Sequence, residues 1–82
     1  MTTKEKLRKK LMGGKSDKNF SFKELCTFVQ QVGFTLRRAG GSHSVFYKEG
    51  VVEIITLQSS RDGKAQPYQV RLVRAIVLKY HL

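Results

Sequence analysis

The chain has 82 residues, enough for one domain and too few for two, and its core must be small for its surface. Cys26 is its one cysteine, which excludes a disulfide framework and fits a reducing cytoplasm. Sixteen Lys and Arg against six Asp and Glu give a formal charge of +10, an excess that points to a polyanion, nucleic acid above all, or to an acidic protein.

Residues 4–12 are basic and helix-forming, with Leu7 and Leu11 four apart on one face and Gly13-Gly14 ending the helix. Its lysines read either as phosphate contacts or as the solvated side of a docking helix. Residues 15–20 read as a polar loop. Ser21 and Glu24 have the spacing of a capping box, and Phe20 and Leu25 that of a hydrophobic staple. Phe22, Leu25, Cys26, Val29 and Val32 then keep helical spacing, which predicts a helix over 22–32 closed by Gly33. On that stripe Cys26 is a core residue rather than a nucleophile, since a buried thiol ionises poorly.

The pattern turns to period two at Phe34, Leu36 and Arg38, which alternate with Thr35, Arg37 and Ala39 and predict a first strand. Gly40-Gly41 is a hairpin signal, residues 42–48 a second strand, Glu49-Gly50 a second turn, and 51–57 a β-branched third strand. Residues 58–66 read as a loop. Pro67 suits the first position of a helix whose apolar face is Val70, Val73, Ile76, Val77 and Tyr80. Lys79 and His81 stand near the negative end of that helix, and His81 is given no function.

The expected fold is α+β: a short N-terminal helix, then α-β-β-β-α, with a three-stranded antiparallel sheet and helices on one face. That is the element order of the double-stranded-RNA-binding domain. The chain reads as one domain over 1–82, with 1–19 a basic N-terminal extension and 20–80 the core. Phe34, Leu36 and Phe46 suit the covered sheet face, which would leave His43, Val45 and Tyr47 on the open one. The third strand is apolar on both sides and does not decide the matter. No apolar run approaches the length of about 18 residues that marks a membrane span, and no signal-peptide segment follows the basic start.

Much chemistry is missing. Two histidines and one cysteine make no familiar zinc site, there is no glycine-rich nucleotide loop, and the scattered acids offer no pair for a divalent metal. No cofactor is expected. What remains is Gly40-Gly41-Ser42-His43, close to Arg37 and Arg38. Glycines let another backbone approach, arginines hold phosphates bidentately, and histidine moves protons near neutral pH. RNA carries its own nucleophile, the 2′-hydroxyl, so one base and several cations suffice to cleave it without a metal. His43 is the candidate catalytic base or acid. Arg37, Arg38, Gly41, Ser42, Tyr47 and Lys48 are the candidate RNA contacts, with Tyr47 placed either to stack on a base or to pack in the core. Taken from composition alone, His43 reads as a strand histidine with no task sooner than as a catalytic one.

Over residues 20–80 the chain resembles the HicA family, the toxin half of a bacterial toxin–antitoxin pair. The resemblance is carried by Gly41-Ser42-His43 followed by Val45-Phe46, by Val32-Gly33-Phe34 before the first strand, by Arg37-Arg38-Ala39-Gly40, and by Pro67-Tyr68-Gln69-Val70-Arg71. It implies a fold like the double-stranded-RNA-binding domain and an mRNA interferase active in the cytoplasm, with His43 catalytic. It also implies a HicB-type antitoxin that blocks the site. Ser44 stands where many members carry a second histidine, and Leu57-Gln58-Ser59-Ser60 where many carry proline and histidine. The alternative function is a non-catalytic RNA-binding module of the same fold. Against it, Arg71 and Arg74 supply only part of the lysine-rich face that such a module needs on its final helix.

Overall fold

A computed structural model describes residues 3–40 and 43–82, with the backbone alone at Arg38 and Ala39. The described residues form α1 (Thr3–Gly13), a 3-10 turn (Asp17–Asn19), α2 (Phe22–Gln31), β1 (Thr35–Gly40), β2 (His43–Tyr47), β3 (Ile55–Gln58) and α3 (Pro67–Tyr80). The architecture is α+β, with an open antiparallel sheet in the order β1-β2-β3. None of the helices is long and apolar enough to cross a membrane.

Each helix has a local cause. Leu7 and Leu11 sink one face of α1 into the core, and Gly14 leaves the helix at φ +69° with its N–H on the Leu11 carbonyl. The solvated lysines of the docking-helix reading are only part of the picture. Arg8 reaches the Leu82 carbonyl at 2.7 Å, and Lys10 reaches Glu24 at 3.0 Å. At α2 both bonds of the Ser21–Glu24 capping box are made, and Phe20 and Leu25 are wholly buried in one core cluster. Helix α3 starts on Pro67 and ends with His81 in the left-handed conformation, its N–H on the Val77 carbonyl. His81 therefore caps a helix.

The sheet corrects three expectations. The third strand does not cover 51–57 but begins at Ile55 and includes Gln58. Its would-be first half turns away because the Val51 N–H goes back to the Lys48 carbonyl, while Lys79 and Tyr80 hold the Glu53 carboxylate at the end of α3. Leu36 pairs with Phe46 yet is 43% exposed, because α2 packs over β3 and no helix packs closely over β1. The alternation along β1 is broken by a bulge between Leu36 and Arg38, so Arg38 is paired with Val45 and Gly40 with His43. The 15–20 loop, finally, contains the 3-10 turn.

Burial decides which face is covered. Phe46, Ile55 and Leu57 join Phe28, Val29, Val70, Val73 and Val77 in the core. His43, Tyr47 and Thr56 lie exposed on the other side. The helices therefore lie against the Phe46 face, and the His43 face is open.

Candidate active site

His43 is the first residue of β2, and its exposure follows from strand parity. Phe46, three residues on, must point into the core, so His43, Val45 and Tyr47 point out. Pairing fixes its neighbours: Gly40 on one side and Gln58 on the other. Directly opposed Cβ atoms in an antiparallel pair lie about 5 Å apart, so Gln58 flanks His43 on the same face of the sheet. Gly40 leaves the opposite flank free of side chain. The result is a shallow depression of about 330 Å3 lined by Gly40, His43, Val45 and Thr56. No hydrogen bond to the His43 ring is made among the described residues, and none of them form a cluster of three or more His, Cys, Asp or Glu that could hold a metal.

The other candidates are dispersed. Arg37 is exposed and is the residue that the bulge adds to β1, three positions before the Gly40 that faces His43. Arg38 occupies the next pair along, opposite Val45. Tyr47 shares the face of His43 and is 43% exposed, which favours the stacking reading over the core one. It stands four residues along the strand, roughly 13 Å away. Lys48 falls on the opposite parity. Its Nζ lies 2.7 Å from where a Gly33 Cβ would sit, so it covers the turn after α2 and not the His43 face. Gly41 and Ser42 lie outside the described residues, as does the side chain of Arg38.

Two members of the site were missed from sequence, Thr56 and Gln58. The third strand was expected to stop at residue 57, so Gln58 was assigned to a loop. Its backbone N–H is held by Gln69 Oε1 at 3.2 Å, and Gln69 is a buried polar residue of α3. That bond ties the strand next to His43 to the helix layer. Cys26 is half-buried on α2, its thiol pushed up to about 11 by burial, which agrees with a packing role.

No family model, curated protein or solved structure matches the chain.

Proposed function

We propose that the chain is a metal-independent endoribonuclease that cuts mRNA, the toxin of a HicA-type pair held in check by a HicB-type antitoxin in the cytoplasm. The observation that carries the reading is His43 itself. It is an exposed imidazole at the mouth of the β1–β2 hairpin, in a depression on the uncovered face of the sheet, in a chain of charge +10. The element order α2-β1-β2-β3-α3 supports reading the fold as of the double-stranded-RNA-binding type, and the glycine-serine-histidine signature supports the family.

In this reading His43 takes the proton of a ribose 2′-hydroxyl. The 2′-oxygen attacks the adjacent phosphorus, the bond from phosphorus to the 5′-oxygen breaks, and the leaving oxygen takes a proton from solvent. A 2′,3′-cyclic phosphate and a 5′-hydroxyl result. The β1 cations Arg37 and Arg38 would offset the charge that builds on the phosphoryl oxygens.

His43→Ala should lower cleavage of a transcript by about a hundredfold or more while RNA binding persists. A 2′-deoxy substitution at the cut should abolish cleavage, and a chelator should leave it intact. A variant that cuts as well as wild type ends the proposal. Loss of activity with the chelator ends its metal-free form. One observation favours the second reading, a non-catalytic RNA-binding module: no side chain among the described residues is hydrogen-bonded to the imidazole to orient it. That reading expects RNA binding and no cleavage from either protein.

A further inference from the structure

Two adjoining clefts lie where the segment after α1 meets the start of α3. One, of about 450 Å3, is lined by Lys15, Asp17, Lys18 and Arg71 among others, and the second, of about 350 Å3, by Lys18, Ser60, Asp62 and Lys64. They share Lys18 and Pro67. Lys15, Lys18, Lys64 and Arg71 are all exposed, and none forms an ion pair among the described residues.

The acids in the clefts are already engaged. The Arg74 guanidinium grips both Asp17 oxygens, at 2.8 and 3.0 Å, and also takes the Leu11 carbonyl at 3.0 Å. This fork straps the 3-10 turn to α3 and brings Lys15 and Lys18 beside Arg71. Asp62 accepts from the Ser60 hydroxyl and the Lys64 N–H, which closes its own turn. The clefts thus keep four cations that form no close ion pair among the described residues, although Arg71 and Lys64 also act at longer range on Asp17 and Asp62.

They also connect to His43. Gln58 faces His43, and Ser59 bridges Ala65, so the chain runs from the His43 row straight into the cleft wall at Ser60. By strand spacing, about 5 Å across and two residues along, that wall begins about 8 Å from His43.

We propose that these clefts form a second phosphate subsite, which holds the backbone of the same single RNA strand a few nucleotides from the bond cut at His43. The inference rests on the ribonuclease reading for that bond. Phosphodiester suits the clefts better than an acidic protein does, since their described lining offers no aromatic or large aliphatic side chain to anchor a protein interface. The same lack of aromatics leaves bases unread, so the subsite holds RNA of any sequence.

The test uses the full chain carrying His43→Ala and a labelled single-stranded RNA of about 20 nucleotides, long enough to span both sites. Changing Lys15, Lys18 and Arg71 together to Gln should weaken binding about tenfold or more and lower the salt slope of the affinity by about 2. Changing the exposed Lys4, Lys6 and Lys23 to Gln removes the same charge elsewhere and should have much less effect. With His43 restored, the cleft variant should show a raised KM and unchanged kcat on the long RNA. Both constants should hold on a dinucleotide substrate, which has no second phosphate to offer the cleft. An unchanged salt slope, an equal loss in the control variant, or an equal loss on the short substrate overturns the subsite. So does a variant that keeps RNA and instead loses an acidic protein partner. If the wild type cuts nothing but binding weakens as stated, the ribonuclease reading fails and the RNA subsite stands.

Discussion

Cys26 and His43 are the two side chains of this fold most open to being taken for nucleophile or base, and burial separates them. The Cys26 thiol is pushed up to about 11 because α2 presses it against the core. A raised thiol holds its proton through the neutral range, so almost no thiolate exists near pH 7. Cys26→Ala should keep RNA cleavage within about twofold of wild type, and thiol reagents should label the native chain far more slowly than the unfolded one. Rapid labelling of native protein at pH 7 that tracks loss of activity would contradict this. The place of His43 at the start of the second strand was legible in the sequence, because a glycine hairpin signal precedes it, but its exposed face was not, since the third strand is apolar on both sides. Gln58 was not, since its place beside His43 depends on strand register, and register is set by which apolar residues reach the core.

Among the elements, α2 was the most legible, because a capping box and a helical stripe are local features that the fold does not overrule. The third strand was misread for the opposite reason. Residues 51–57 are mostly β-branched, but the Glu53 carboxylate is held by Lys79 and Tyr80 at the end of α3, and pairing starts at Ile55. The turn between α2 and β1 shows local and distant causes acting together. Gly33 sits at φ +109°, and the Lys48 side chain crosses the space a Cβ would fill. Gly33→Ala should cost about 1–2 kcal/mol for the left-handed backbone, with a further loss as Lys48 is displaced. Urea unfolding would measure it. In a Lys48→Ala background only the second part should disappear. A Gly33→Ala variant as stable as wild type would show that the turn is not held in this conformation.

For the molecule as a whole, sequence reading drew the boundary of the core too narrowly. Residues 1–19 read as an extension because the family resemblance begins at Phe20, yet Leu7 and Leu11 are in the same buried cluster as α2 and α3, in keeping with a docking helix. Their partners lie far along the chain, which no local pattern reveals. The cationic clefts were hidden likewise: Arg71 stands on α3, and Lys15 and Lys18 join it from a segment far away in the chain.

Two carboxylates fasten the outlying segments to α3, and both are tuned by that contact. The Arg74 guanidinium hydrogen-bonded to Asp17 holds that carboxyl below its ordinary 3.8, and Lys79 with Tyr80 draws Glu53 down from 4.5 to about 2. A group whose folded value is lowered stabilises the fold at pH above its unfolded value, and that contribution fades as pH falls toward the folded value. Thermal stability should therefore be flat from pH 7 to about 5 and decline from about 4.5 toward 2, the window set by these carboxylates. Asp17→Asn should lower Tm at pH 7 and flatten the decline, more than Glu53→Gln does. Glu53 is the more solvated of the two, and its pair is screened by water. Because the Asp17 fork also presents Lys15 and Lys18, Asp17→Asn should weaken RNA binding although it removes a negative charge. Simple electrostatics predicts the reverse, so tighter RNA binding by Asp17→Asn would mean that the fork contributes charge and no positioning.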